Sequence, residues 1–390
     1  MHRVYMDANA TTPLLPEVVE AMRPFWIESF GNASSIHQQG QRARAAVEAA
    51  REQVAALLNC RAAELVFTSG GTESDNLALF GILKPGDHLI TTAIEHHAVI
   101  YVGHELQARG VELTVIKPDS NGVVQPGTLR AALLPNTKLV SVMLANNETG
   151  AIQPVAELAA IAHEHGALFH TDAVQAAGKI PIDVQALGVD LLSISGHKMH
   201  APQGTGALYV RRGTRLAPLF FGGSHERQRR AGTENLAGVV GLGKASQIAQ
   251  AWIANNGAEK LAALRDQLER TILAAVPGSG VTSANAPRVC NTANIYFDHL
   301  EAEALVIALD LKGLAVSGGS ACQSGAADPS HVLQAIGLTP ERARASVRFS
   351  LTKQTTAEDI AFATSIVPTA AAHLRDLSPA WRKLHATTTS

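Results

Sequence analysis

Short apolar runs alternate with amphipathic helical segments along the first half of the chain. Residues 39–58 carry apolar side chains at helical spacing, which predicts a long amphipathic helix. The later alternation is typical of an α/β fold with a parallel or mostly parallel sheet flanked by helices. The runs that predict strands are 64–68, 88–92, 113–117, 139–144, 168–171, 190–195 and 207–210, and the helices between them are predicted at 73–83, 99–109 and 154–165.

The alternation ends after Gly243, where a long helical stretch is predicted at 258–275 and shorter segments follow. A chain of 390 residues is long enough for two domains. We therefore predict a large domain formed by residues 13–257. A smaller α+β domain would combine residues 1–12 with 258–390, and it would carry a Gly/Ser-rich loop at about 316–331.

The composition indicates an enzyme rather than a nucleic-acid-binding or membrane protein. Lys and Arg number 32 against 34 Asp and Glu, so the net charge is -2 and no basic surface is indicated. No apolar run approaches the roughly 18 residues of a membrane span. Residues 1–13 lack the basic and apolar regions of a signal peptide. We expect a cytoplasmic protein that binds neither nucleic acid nor membrane.

The cysteines and histidines show no metal-site pattern. Cys60, Cys290 and Cys322 have no CxxC spacing and form no plausible disulfide framework. His163 and His165 lie two positions apart in a predicted helix and point to different faces, so a solvated helix end is the better interpretation. We predict no metal site.

A carboxylate and a lysine stand at the ends of consecutive apolar runs. Asp172 directly follows the run 168–171, and Lys198 comes shortly after the run 190–195. A strand–helix–strand crossover would bring both side chains to the same edge of a parallel sheet. An enzyme that uses pyridoxal phosphate needs this pair, because a lysine holds the aldehyde as a Schiff base and a carboxylate keeps the pyridine nitrogen protonated.

A glycine-containing turn with the sequence TSGGTESDN occupies residues 68–76, between a predicted strand and a predicted helix. Free N–H groups at the start of that helix would bind a phosphate, and Gly70, Gly71 and Thr72 are the candidates. An ordinary capped turn is the alternative.

Two histidines follow the predicted strand 88–92 in the sequence IEHHAV, and His96 is the better candidate of the two. An imidazole at this edge of the sheet can stack on a pyridine ring and move protons near neutral pH. A loop histidine without such a role is an equally good interpretation of this segment alone.

Two amides and an arginine complete the candidates near this edge. Asn147 lies in LANNETG and Gln175 follows Asp172 by three residues, so either amide could bond a carboxylate or a phenolic oxygen. Arg348 lies between apolar residues in SVRFS, where it needs a carboxylate partner. A structural ion pair is favoured on local evidence, with a substrate carboxylate as the alternative. The basic segment 222–235 has no decided role.

Cys322 lies between clusters of glycine and serine that form neither a stable helix nor a stable strand. A structural cysteine is usually buried among apolar residues, which these neighbours are not. The pattern favours a reactive thiolate on a loop that can reach a substrate.

Taken together, these segments resemble the NifS/IscS-type cysteine desulfurases, which are fold-type I pyridoxal phosphate enzymes of the class V aminotransferase group. The resemblance runs in order over nearly the whole chain. Its motifs are DANATTP (7–13), FGNASS (30–35), TSGGTESDN, EHHAV, NNETG, HTDAVQ, SGHK, HERQRRAGTEN, the cysteine loop and SVRFS.

The resemblance implies a role for each matching position. The implied roles are the Schiff base for Lys198, the pyridinium partner for Asp172, ring stacking and proton transfer for His96, the phenolic oxygen contact for Gln175, phosphate binding for Thr72, Ser195 and His197, phosphate binding in the other subunit for Thr233, substrate carboxylate binding for Asn147 and Arg348, and the persulfide-forming nucleophile for Cys322. The role of Thr233 implies a homodimer with shared active sites.

The expected reaction converts L-cysteine to L-alanine, with the sulfur passing to Cys322 as a persulfide. An acceptor protein would then take the sulfur for Fe–S cluster assembly or for other sulfur-containing biomolecules. Selenocysteine lyase or an aminotransferase on the same scaffold is the alternative, and a catalytically idle assembly partner is a third interpretation. Departures from the family pattern occur at Ala33, Gly318 and Thr352, and the segment after Trp381 is shorter than the extension with which housekeeping members dock a scaffold.

Overall fold

A computed structural model describes residues 3–318, 329–377 and 381, so Cys322 lies outside the described residues. The strands are β1 Val4–Tyr5, β2 Leu65–Thr68, β3 His88–Thr92, β4 Glu112–Ile116, β5 Thr137–Ser141, β6 Leu168–Asp172, β7 Leu191–Ser195, β8 Gly206–Val210, β9 Ser279–Val281, β10 Thr292–Phe297, β11 Leu314–Ala315, β12 Ser317–Gly318 and β13 Ser346–Ser350. The helices are α1 Pro16–Met22, α2 Pro24–Ile27, α3 Gln38–Leu58, α4 Gly71–Ile82, α5 His97–Ala108, α6 Pro126–Ala132, α7 Val155–Glu164, α8 Val184–Leu187, α9 Leu236–Ala254, α10 Gly257–Ala275, α11 Ala302–Asp310, α12 His331–Ala335, α13 Pro340–Arg344 and α14 Ala357–Leu377.

The larger sheet has seven strands in the order β2-β8-β7-β6-β5-β3-β4. Strands β7, β6, β5, β3 and β4 pair in parallel, while β8 is antiparallel to both of its neighbours. Because β2 is antiparallel to β8, it runs in the same direction as β7. The prediction of a mostly parallel sheet is confirmed, and the carboxyl ends of six strands meet at one edge, where ligands bind in such folds.

Helices cover both faces of this sheet except along the edge strand β4, where Glu112 and Val115 are exposed. Successive side chains of a strand point to opposite faces, so neighbouring residues of the covered strands are buried on different sides. Leu65 and Phe67 of β2 join one apolar cluster with α3, α7 and α9. Val66, between them, joins a second cluster with α4 and α5. The near-continuous apolar strands in the sequence therefore match a sheet covered by helices on both sides.

A second, antiparallel sheet has the strand order β12-β13-β10-β9, and α10, α11 and α14 contribute to its apolar cluster. Strand β1 pairs with β11, and Asp7 forms a bridge with Ser350, so the first residues of the chain lie against this second sheet. The division at residues 13 and 257 stays a prediction. Within the described ranges, no helix is long and apolar enough to cross a membrane.

Candidate active site

A cavity of about 410 Å³ opens at the carboxyl edge of the seven-stranded sheet. Ten of the predicted site residues line it: Gly71, Thr72, His96, Asn147, Asp172, Gln175, Ser195, His197, Lys198 and Arg348. Thr233 is exposed and does not line it, and Cys322 lies outside the described residues. The fold therefore brings together candidates that are spread over nearly 280 residues of sequence.

Lys198 ends a 3₁₀ turn, Gly196–Lys198, that directly follows β7. Its Nζ donates hydrogen bonds to the backbone oxygens of Asn9, at 2.5 Å, and Ala10, at 2.7 Å. The N-terminal segment therefore holds the amine at the cavity wall. No signal within the sequence around Lys198 indicates this contact.

Asp172 is the last residue of β6 and is 4% exposed. Its Oδ1 accepts a hydrogen bond of 2.8 Å from the backbone N–H of Val174. Burial raises the pKa of Asp172 to about 6, and the bond from Val174 and the charge of Lys198 oppose this rise. Asp75 lies nearby, and burial together with the charge of Asp172 raises its pKa well above the usual value. Burial and the mutual repulsion of the two carboxyl groups therefore disfavour the ionisation of both at once, and the charge of Lys198 favours ionisation of Asp172.

His96 caps the start of α5, where its Nδ1 accepts a hydrogen bond of 3.1 Å from the backbone N–H of Ala98. Burial, together with the charges of Lys198, His97 and His331, lowers its pKa to about 4. The ring is therefore neutral at pH 7. Because Nδ1 accepts, the single ring proton lies on Nε2.

The start of α4 forms one end of the cavity. Gly70 has φ of +153°, a conformation that other residues rarely adopt, and a Cβ on Gly71 would lie 2.7 Å from Cγ2 of Val174. The first N–H groups of a helix have no intrahelical acceptor. Ser195 and His197 approach the same end from β7 and the turn after it, and Nδ1 of His197 contacts the Thr11 hydroxyl at 3.1 Å.

Arg348, in β13, is 2% exposed and reaches the cavity from the second sheet. It donates from Nη2 to Oδ1 of Asp7 at 2.9 Å and from Nη1 to the backbone oxygen of Asn147 at 3.0 Å. Its Nε is buried without a hydrogen-bond partner, as is Oδ1 of Asn147. The structural ion pair that the sequence favoured is present, and the Nε–H of the guanidinium, which has no acceptor, remains for a ligand.

Several lining residues were missed by the sequence analysis. Glu95 and Glu148 are buried, and burial raises their pKa values to about 8 and about 7. Asn9 and Ala10 lie in the motif DANATTP, which served only to establish the resemblance. His331 lies at the start of α12, where its ring centroid is 4.9 Å from that of His97. Glu95 and Glu148 lie beside His96 and Asn147 in the motifs EHHAV and NNETG, and that proximity in sequence was the available signal.

The donor set fits pyridoxal phosphate. N–H groups at the start of α4 and the Ser195 hydroxyl suit a phosphate. Across the cavity are an amine on Lys198, a carboxylate on Asp172 and a neutral imidazole on His96, and the lining residues Arg348 and Asn147 carry buried polar atoms without partners. No cluster of three or more His, Cys, Asp or Glu side chains that could hold a metal ion occurs in the described parts of the chain.

Comparisons with known proteins identify the family. The sequence profile of the family "Aminotransferase class-V" matches residues 4–362. The protein is 46% identical to cysteine desulfurase IscS of Dictyoglomus turgidum over 96% of both chains. It is 47% identical to a cysteine desulfurase of a Nostoc species over 97% of this chain and 95% of that one.

Two solved structures share its fold. A NifS-like protein from Rickettsia africae is 34% identical, with a TM-score of 0.86 over 95% of this chain and 99% of that chain. A structure described as SspA in complex with cysteine is 34% identical, with a TM-score of 0.80 over 91% of this chain and all of that chain. The predicted α/β fold of the fold-type I enzymes is confirmed. The chain belongs to the aminotransferase class-V family, within its group of NifS- and IscS-type cysteine desulfurases.

Proposed function

We propose that this protein is a pyridoxal-phosphate-dependent cysteine desulfurase, which converts L-cysteine to L-alanine and transfers the sulfur to Cys322 as a persulfide. The observation that carries the proposal is the convergence of Lys198, Asp172, His96 and Arg348 on one cavity. The cysteine desulfurase relatives, similar over nearly the full chain, support the choice of substrate.

The residues at the sheet edge would hold the cofactor. Gly71, Thr72, Ser195 and His197 surround the phosphate end, and Lys198 provides the amine for covalent attachment. When bound, pyridoxal phosphate supplies an aldehyde that condenses with amines and a ring that withdraws electrons from the substrate Cα. Asp172, ionised above about pH 6, keeps a proton on the ring nitrogen.

The substrate carboxylate would bind at the end of the cavity formed by Arg348 and Asn147. The buried Nε–H of Arg348 has no acceptor in the protein, and an unmade hydrogen bond of a buried donor costs stability. We infer that a bound ligand provides the acceptor. The ion pair with Asp7 fixes the plane of the guanidinium and so orients the substrate.

Two side chains would handle protons. Lys198 Nζ, held by the backbone oxygens of Asn9 and Ala10, removes the proton from the substrate Cα and returns one to the alanine product. His96 carries its proton on Nε2 and is neutral, so it donates a hydrogen bond without placing a second cation beside Lys198.

Cys322 would act as the nucleophile toward sulfur. Its thiolate attacks the sulfur of the bound cysteine, a sulfur–sulfur bond forms, and the Cβ–S bond breaks with its electron pair returning to carbon. The other two cysteines are poor candidates, because burial raises the pKa of both thiols, that of Cys60 to about 12.

We propose that a protein in the cytoplasm accepts the sulfur, for Fe–S cluster assembly or for other sulfur-containing biomolecules. We also propose a homodimer in which Thr233 binds the phosphate of the other subunit. Six of the exposed apolar side chains support this assembly, since they lie in two segments, 26–36 and 220–221, beside the loop that carries Thr233. Ser34 lines a pocket with Glu234, and Arg230 lies over the Phe220 ring. The six are Trp26, Ile27, Phe30, Ile36, Phe220 and Phe221.

The decisive experiment incubates the purified protein with pyridoxal phosphate and L-cysteine and measures alanine and sulfide. Lys198→Ala and Cys322→Ala should both lose alanine production, while Cys60→Ala should keep the parent rate. Full alanine production by Cys322→Ala would overturn the assignment of the nucleophile. A parent protein that binds no cofactor and makes no alanine would overturn the whole proposal, and selenocysteine as the only accepted substrate would favour the alternative lyase.

A further inference from the structure

A buried lysine lies directly behind the cavity wall. Lys179 is 6% exposed and does not line the cavity. Its Nζ donates to Oε1 of Gln175 at 2.7 Å and to Oδ1 of Asn9 at 3.1 Å. A buried lysine is rare without a paired acid, and these contacts are with two amide oxygens. The proposed reaction leaves this side chain without a role.

The lysine determines which way each amide faces. An ammonium group only donates hydrogen bonds, so both Gln175 and Asn9 must present oxygen to Lys179. Burial, together with the nearby charges of Lys198, Arg348 and Lys353, lowers the pKa of Lys179 to about 7. The neutral amine also carries N–H groups, so Nζ can donate to both oxygens in either protonation state.

Fixing Gln175 in this way places its NH₂ group on the opposite side. One Nε2–H donates to the backbone oxygen of Asn9 at 3.0 Å, which leaves the second N–H for the cavity that Gln175 lines. A donor at this position can stabilise a negatively charged oxygen, whereas an amide oxygen would repel it. The flipped amide would therefore reverse the local electrostatics.

Asn9 extends the same network to the reacting residues. Its backbone oxygen also accepts from Nζ of Lys198, and its Nδ2 donates to the backbone oxygen of Asn147 at 3.1 Å. Its Oδ1 accepts a second bond from Asn291 at 3.0 Å. Lys179 thus orients the Asn9 side chain, which contacts the substrate-carboxylate end, while the backbone of the same residue contacts the catalytic amine.

We propose that Lys179 is a positioning residue that locks Gln175 with an N–H facing the phenolic oxygen of the cofactor. The inference rests on the proposed function, because it requires pyridoxal phosphate in this cavity with that oxygen against Gln175. Lys179 itself touches neither cofactor nor substrate.

The test is a pH titration of the visible absorbance of the protein loaded with pyridoxal phosphate. An N–H bonded to the phenolate favours its ionised form, so Lys179→Met should raise the pH midpoint of the absorbance change by about one unit. Its kcat should fall with little change in KM, since the substrate carboxylate site remains. Lys353→Met is the matched control, because it removes another lysine whose Nζ is buried and whose charge affects Lys179. That Nζ lies over the Trp252 ring and bonds neither Gln175 nor Asn9, so the variant should leave the midpoint unchanged.

A double-mutant cycle separates orientation from simple loss of charge. If Lys179 acts through Gln175, Lys179→Met should cause no further shift in a Gln175→Leu background. An equal shift in both backgrounds, or no shift in a folded single variant, would overturn the proposal. Lys179→Leu, which also lacks an N–H donor, should give the same shift and serves if Lys179→Met does not fold. A parent protein that binds no cofactor would contradict the proposed function instead.

Discussion

Glu95 carries a carboxyl group that burial keeps protonated beside the cavity. Its Oε1 accepts hydrogen bonds from the Thr92 hydroxyl at 2.8 Å and the Met143 N–H at 2.9 Å, while Oε2 is buried without a partner. Burial raises its pKa to about 8, whereas in the unfolded chain the same group ionises near 4.3. Between these values the folded protein holds a proton that the unfolded chain has released.

This difference makes Glu95 a source of instability that grows with pH. Stability falls with rising pH wherever the folded state binds more protons than the unfolded state. Glu95→Gln keeps an oxygen for both donors and cannot ionise, so its melting temperature relative to the parent should rise from about pH 5 to about pH 8. Thermal unfolding of both proteins without cofactor measures this. A difference that stays constant or shrinks over that range would contradict the assigned protonation.

Residues differ in how much of their role is visible in the sequence. Asp172 and Lys198 follow apolar runs, and their chemical types alone indicate the cofactor. Lys179 and Glu95 carry no such signal, because their roles depend on burial and on contacts with Asn9 and Met143, which lie far away in sequence. Local pattern identifies the reacting groups better than it identifies the groups that orient them.

The start of α4 shows how closely an element must approach the cofactor site. A Cβ on Gly71 would lie 2.7 Å from Val174, so Gly71→Ala must displace either that side chain or the first turn of the helix. We expect affinity of the protein for pyridoxal phosphate to fall about tenfold, which corresponds to the lower part of the usual cost of overpacking. Titration of the cofactor-free protein, followed by fluorescence, measures this loss.

Gly127→Ala is the matched control for this substitution. Gly127 lies in the first turn of α6, where an added Cβ would meet nothing within 4 Å. Alanine favours a helix over glycine, so this variant should bind the cofactor as the parent does and unfold at the same or a higher temperature. Equal affinities for all three proteins would show that the first turn of α4 does not contact the phosphate.

Most strands and helices around the sheet were predicted within two or three residues, because their apolar periodicity is strong. Helix α9 was not predicted, since its face against α3 is formed by small residues rather than by an apolar stripe. A Cβ on Gly243 would lie 2.7 Å from Cα of Ala50, which shows how closely the two helices pack. Helix α14 was also missed; it contains Pro368, a residue that normally argues against a helix.

At the scale of the whole molecule, the site depends on segments from both ends of the chain. Asp7 and Asn9 precede the large sheet, while Arg348 follows it by over a hundred residues. Asn9 and Arg348 line the cavity, and Asp7 accepts a hydrogen bond from Arg348. Periodicity predicts elements but not which distant segments come together. The resemblance to a family provided that information before the structure did.

The assembly itself provides the last prediction. Thr233 is exposed in one chain and stays a predicted phosphate ligand of the other subunit. If the active sites are shared, a dimer of one Lys198→Ala chain and one Thr233→Ala chain contains one site with both defects and one site with none. Such a dimer, co-expressed with two different affinity tags and purified through both, should recover about half of the parent activity.

The two homodimers provide the controls for this recovery. Each carries the same defect in both sites, so Lys198→Ala should be inactive and Thr233→Ala should bind pyridoxal phosphate weakly. If Thr233 instead binds the phosphate in its own subunit, each site of the mixed dimer carries one of the two defects. The mixed dimer would then show only the average activity of the two homodimers. Activity at that average would place Thr233 in its own subunit's site, and a monomer in solution would exclude shared sites altogether. Recovery above both homodimers therefore requires two chains that each complete the other's phosphate site.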